Sequence, residues 1–216
     1  MITLTPQHRI TNNYKQEHLP LNPKTANFNV HFGNNVHQFC RLNTCKEVTN
    51  LANIFLKSLT ESIDGKKANK TPSFLDKIMN WSFVLPYKIM SYADNSITEV
   101  VKSNNKTLGG YMLAIEPNTD TAHIGFLTLA PDNKGKRESL KTLLELGKRI
   151  HETAKINKME YIEWTASKTN KGAMKLFKRC EPTLIKSHMN TEFEYGIHID
   201  KFKKFLDEYE KKISQI

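Results

Sequence analysis

The stretch LAPDNKGKRES, residues 129–139, ends an apolar run at Pro131 and then sets Lys134, Lys136 and Arg137 around a single glycine, Gly135. A helical repeat of apolar residues follows, so the backbone amides of residues 134–139 are predicted to open a helix. First-turn N–H groups have no partner inside a helix, and the dipole places about half a positive charge there. Such a terminus binds phosphate. Gly135 lets the main chain approach a ligand closely, and the three cations add charge. The loop is not a P-loop, because no Gly-x-x-x-x-Gly-Lys-Ser/Thr is present. Nor is it a dinucleotide fingerprint, because it holds one glycine. Taken alone, it reads first as a solvated loop whose lysines keep it soluble.

The elements that must position this loop are legible from periodicity. Residues 1–34 are polar and rich in Asn and His, and form an N-terminal extension in which only NFNVHF, 27–32, suits a short strand. VHQFCRL, 36–42, reads as a strand. The segment 43–62 carries Val48, Leu51, Ala52, Ile54, Phe55 and Leu59 at helical spacing, with Asn43 or Thr44 as cap. PSFLDKIMNWSFVL, 72–85, suggests a second helix ended by Pro86. SITEVVK, TLGGYMLAI and TAHIGFLTLA are separated by turn-forming SNNK and EPNTD, which predicts an antiparallel meander. After the basic loop, Leu140, Leu143, Leu144, Gly147, Ile150 and Ala154 mark an amphipathic helix. EYIEWTA is the next strand and NKGAMKLFKR the next helix. TLIKSHM and EFEYGIHI are two further strands, and Phe202, Phe205, Leu206, Tyr209 and Ile213 line a terminal helix over 201–216. The sum is an α/β chain with one mixed, mostly antiparallel sheet flanked by helices, its main domain spanning 35–200.

Composition bounds the partners. The chain has 216 residues, enough for one domain with decoration. No run approaches the length of a membrane span, and the first residues lack a secretory layout, so a cytoplasmic protein is expected. A net charge of +10 admits nucleic acid as a partner, yet it rests on 27 lysines and five arginines beside 20 asparagines, a proteome-like bias rather than a base-reading one. Thirteen Lys or Arg against six Asp or Glu fall within 131–180, which points to a local anion. Cys40, Cys45 and Cys180 match neither a zinc set nor a redox pair, so no metal is expected and the thiols are read as free and inert.

The element order, the basic loop and the later NKGAMKLFK together resemble the GNAT superfamily of acetyl-CoA-dependent N-acetyltransferases. In that family the loop reads Gln/Arg-x-x-Gly-x-Gly/Ala, and its amides hold the pyrophosphate of coenzyme A. Lys134, Gly135, Lys136, Arg137, Glu138 and Ser139 correspond, with Lys134 in the Gln/Arg place and Arg137 where the middle glycine belongs. The family's later helix reads Asn-x-x-Ala-x-x-Leu-Tyr-x-x-x-Gly-Phe; here stand Asn170, Ala173, Leu176 and Phe177, followed by KRCEP. The likeness covers about 96–182 clearly and 36–60 more weakly.

The resemblance implies acetyl-CoA or another acyl-CoA as cosubstrate, an amine of a small molecule, peptide or protein as acceptor, and direct attack. It puts main-chain groups of Leu127, Thr128 and Leu129 on pantetheine and Asn170 on the same arm. His123 stands in the place of the family's basic Glu, and an imidazole can accept a proton at neutral pH. Glu163 is the fallback base. Phe177 replaces the tyrosine that protonates the departing thiolate; Tyr161, Tyr195 or Ser167 could stand in for it, or the thiolate leaves unassisted or takes its proton from water. Acceptor contacts are expected from 44–86, including Trp81, Phe83 and Tyr87, and from 183–198. A CoA-binding sensor without catalysis and a nucleic-acid-associated relative are the alternatives, and a homodimer is left open.

Overall fold

The structure, a computed structural model, describes residues 28–32, 35–42, most of 47–57, 95–104, 106–116, 118–130, 132, 137–168, 170–188 and 192–215. Eight strands form one sheet: β1 Phe28–Phe32, β2 Asn35–Arg41, β3 Ser96–Ser103, β4 Lys106–Ile115, β5 Thr121–Leu129, β6 Tyr161–Ser167, β7 Thr183–His188 and β8 Glu192–His198. Their order is β1-β2-β3-β4-β5-β6-β8-β7. Every neighbouring pair is antiparallel except β5 and β6, which run parallel across the connection through α1, Arg137–Ile156. Helix α2, Lys171–Cys180, joins β6 to β7, and α3, Ile199–Ser214, closes the chain. The expected α/β class and mostly antiparallel sheet are therefore found. Edge strand β1 comes from the segment expected as an extension, and α3 belongs to the main core. The expected helix at 72–85 lies outside the described residues.

The two faces of the sheet carry different covers. On one, Tyr111, Leu113, Ile162, Trp164 and Ile197 meet Leu144, Leu146 and Ile150 of α1 and Phe202 and Leu206 of α3. On the other, Val100, Met112 and Phe126 meet Leu51 and Phe55 of a helical segment within 47–57. Being covered on both sides, β3 is buried from Ser96 through Val101, where an edge strand would alternate. At Gly110 a Cβ would stand 2.7 Å from the Glu99 carbonyl oxygen and 2.9 Å from a Leu51 methyl, so the absence of a side chain lets the 47–57 segment close on the sheet.

A bulge sets which face each β5 residue shows. Met112 pairs with Phe126 and Leu113 with Ile124, leaving Gly125 as the extra residue. His123 and Phe126 thus share the face under 47–57, while Ile124 and Leu127 share the face under α1. A side chain at position 125 would run into the Met112 methyl, which glycine avoids. Among the described residues, no helix is long and apolar enough to cross a membrane.

Candidate functional site

The parallel pair β5 and β6 is joined only at its amino-terminal end. Thr121 pairs with Tyr161, Ala122 with Ile162, His123 with Glu163 and Ile124 with Trp164, and there the register stops. β5 nevertheless runs on to Leu129 and β6 to Ser167. The strands part into a fork whose inner edge on β5 leaves the main-chain donors and acceptors of Leu127 and Leu129 without a strand partner among the described residues, whereas those of Thr128, expected to join them, turn to β4, as the Ala130 amide does toward the Leu108 carbonyl. Both helices that follow these strands begin at the open end: α1 at Arg137 and α2 at Lys171. Two helix N-termini therefore face the crevice beyond the carboxyl ends of parallel strands, where α/β sheets receive ligands.

At the root of the fork, His123 and Glu163 are in register on the face away from α1. Burial lowers the His123 pKa, with Glu194 and Glu116 pulling the other way. Burial raises the Glu163 pKa, and Glu194, Glu116 and Asp120 add to the rise. The imidazole is thus held neutral, and the carboxyl is kept from ionising as readily as it would in water. The two candidate bases read from the sequence are brought side by side.

On the α1 face the fork is walled by aromatic rings. Phe177 lies 5.0 Å from Trp164 and 6.2 Å from Tyr195, centroid to centroid, and Trp164 lies 6.0 Å from Tyr195. Of the three stand-ins for the missing phenol, Tyr195 is the one beside Phe177. Tyr161 packs edge-on against His198 on the other face, at 5.3 Å. Ser167 ends β6, its carbonyl accepting from the Asn170 amide at 3.1 Å. Helix spacing could not reveal Tyr195, because β8 and α2 are brought together only by the sheet.

No family model matches the sequence, and no curated protein sequence matches it. Solved structures do. PaiA N-acetyltransferase from Thermoplasma acidophilum, in complex with coenzyme A, is 12% identical, with 75% of this chain and 98% of that one covered at a TM-score of 0.56. Spermidine N-acetyltransferase from Vibrio cholerae, in complex with CoA and spermine, is 14% identical over 77% of this chain and 98% of that one, TM-score 0.51. FdhC, a nucleotide-linked sugar GNAT, is 13% identical over 85% and 97%, TM-score 0.56. The fold is that of the GNAT acetyltransferases.

Within this GNAT fold the cofactor residues read from the sequence divide into four groups. Lys134, Gly135 and Lys136 lie outside the described residues, as does Cys45. Arg137 opens α1, Glu138 is exposed and Ser139 is buried in the first turn. Glu138 can offer an anion only its amide, since its side chain is acidic and its carbonyl is an acceptor, here taking a bond from Thr142 Oγ1 at 2.9 Å. Asn170 caps α2, its Oδ1 accepting from the Ala173 amide at 3.1 Å. That bond takes the Ala173 N–H, so Ala173 has no amide for a ligand, while Asn170 keeps its Nδ2 group. Leu127 and Leu129 face the α1 side, and the Thr128 side chain is buried on the other. Cys180 is buried in apolar surroundings that push its thiol up to about 12, which rules it out as a thiolate nucleophile at neutral pH.

Proposed function

We propose that this protein is an acyl-CoA-dependent N-acyltransferase that moves an acyl group, acetyl in the simplest case, from a thioester to a primary amine of a small molecule, peptide or protein. The observation that carries this reading is the fork between β5 and β6, with a titratable pair at its root and two helix N-termini at its mouth. The GNAT fold of CoA-bound acetyltransferases supports the same cosubstrate.

The residues fit such a cosubstrate. Pantetheine amides would pair with the free edge of β5 at Leu127 and Leu129 and with Asn170 Nδ2. The diphosphate would meet the first-turn amides of α1 at Glu138 and Ser139 and the basic loop before them. The acceptor amine comes from the His123 face. Its lone pair forms the C–N bond, the C–S bond breaks with its electrons on sulfur, and the ammonium proton passes to His123 Nδ1 or Nε2. Glu163 supports that proton. Tyr195, beside Phe177, supplies a proton to the thiolate. Glu194 and Glu116 act on His123, and with Asp120 on Glu163, giving the root a negative potential that favours a cationic acceptor and the imidazolium formed during the step.

The reading is tested by melting. Free CoA or acetyl-CoA at a hundred times its dissociation constant should stabilise the fold by about 2.7 kcal/mol. Thiol release in an amine panel then tests transfer. No melting shift with CoA or any acyl-CoA sinks the proposal, and a shift without thiol release for any amine leaves a binder instead of an enzyme.

A further inference from the structure

We propose that the acyl group this protein carries is longer than acetyl, and that its alkyl chain lies in an apolar cavity directly beneath the fork. The inference rests on the transferase reading above, which puts the thioester at the fork.

The cavity, about 40 Å³, lies between β5, β6, α1, α2 and α3, with Ile124, Leu127, Trp164, Gly147, Phe177 and Leu206 among its walls. Ile124 and Trp164 are the last pair before the strands separate, so fork and cavity share a wall. Apart from the Cys180 thiol, the Tyr209 phenol and the Trp164 indole N–H, which is buried away from solvent, the side chains around it are hydrocarbon. Phe177 presents no hydroxyl, and Gly147 presents no side chain at all.

That lining selects among occupants. Water in a buried site needs two to four polar partners, and the walls turn almost only carbon toward the space, the Cys180 thiol donating instead to the Leu176 carbonyl at 3.6 Å. The pantetheine arm carries amides that would go unpaired here, which disfavours it as well. A hydrocarbon chain needs no partner and regains the dispersion contacts that a void forfeits. A water-sized group occupies roughly 10–15 Å³ by the same measure, so the space takes about three such groups. The methyl of acetyl fills one of them. A butyryl chain, with three carbons beyond its carbonyl, fills the cavity, and an octanoyl chain exceeds it.

The experiment is a binding series on the full chain with CoA and acetyl-, propionyl-, butyryl- and octanoyl-CoA, read by calorimetry and by melting. From acetyl to butyryl each methylene should tighten binding about fourfold, with no further gain at octanoyl. Leu143→Phe and, independently, Cys180→Met narrow the cavity, and either should make butyryl-CoA bind no tighter than acetyl-CoA. Tight binding of free CoA with a flat acyl series overturns the chain-length proposal and leaves the fork reading standing. Folded variants that keep the wild-type slope also overturn it, because the chain would then lie elsewhere. No binding of any of the five ligands overturns both.

Discussion

Replacing Glu99 with leucine should cost this protein about 3 kcal/mol, and removing its partner as well should restore most of the loss. Glu99 is buried on β3 under α1. Its carboxylate accepts from Arg149 Nε at 2.8 Å and Nη2 at 3.0 Å, and from the Tyr111 hydroxyl at 2.7 Å. The Arg149 side chain is only 14% exposed. Its guanidinium, whose pKa is raised first by the bonds to Glu99, would be left charged and dry in Glu99→Leu. Breaking one side of such a pair costs about 3–5 kcal/mol. Glu152, 3.6 Å from Nη1 and itself exposed, tempers the loss and argues for the lower end. The Tyr111 hydroxyl keeps Thr153 Oγ1 at 3.2 Å, and its pKa is raised well above the ordinary value by burial, so it stays a neutral donor with somewhere to go. In Glu99→Leu with Arg149→Met both charges are gone, and replacing a buried pair by apolar side chains is often neutral. Urea unfolding of the wild type, both single variants and the double variant measures the cycle. A double variant whose loss equals the sum of the singles within about 0.5 kcal/mol would mean no coupling, and would refute the argument.

The remaining predictions concern the site and one helix end. In the proposed mechanism His123 acts as a neutral base, and burial lowers its pKa from 6.5, so kcat should fall as pH drops through a value below that figure and level off above it. His123→Gln should lose about a hundredfold and abolish that limb; a limb that survives in the variant removes His123 from the proton path. Tyr195→Phe should reduce kcat while leaving the KM for acyl-CoA near wild type, the pattern of a group needed after binding; equal kcat would mean the thiolate leaves without it. Glu181 holds φ 49° just past α2, followed by Pro182, in the left-handed position that glycine tolerates. Glu181→Gly should raise stability by about 1 kcal/mol in thermal melts, because the carbonyl that accepts from Lys201 Nζ at 2.6 Å is kept.

The strands and helices were readable because period-two and period-3.6 patterns are local. The boundaries expected for β3, β4, β5, α1 and α2 fall within a residue or two of those observed. What depends on one extra residue was not readable. Strict alternation along TAHIGFLTL would set His123 on the same face as Leu127 and Leu129, under α1. The bulge at Gly125 reverses the phase after Ile124, and only pairing with Met112 and Leu113 reveals it. The glycine itself was a signal, since an isolated glycine in a strand marks bulges.

The same limit bears on the acid of the proposed mechanism. A search confined to α2 finds Phe177 and stops, because helical spacing relates a residue only to neighbours three and four away. Tyr195 reaches that ring from β8, eighteen residues later in sequence, through the antiparallel pairing of Trp164 with Tyr195. A divergent sequence can therefore lose a phenol from the helix while another strand brings one to the same aromatic cluster. Phe177 in the motif is evidence about where the hydroxyl is absent, and the sheet register says where to look for its replacement. On this argument Phe177→Tyr in a Tyr195→Phe background should recover part of the lost kcat. If it recovers none, the two rings do not serve one proton transfer, and the cluster is packing alone.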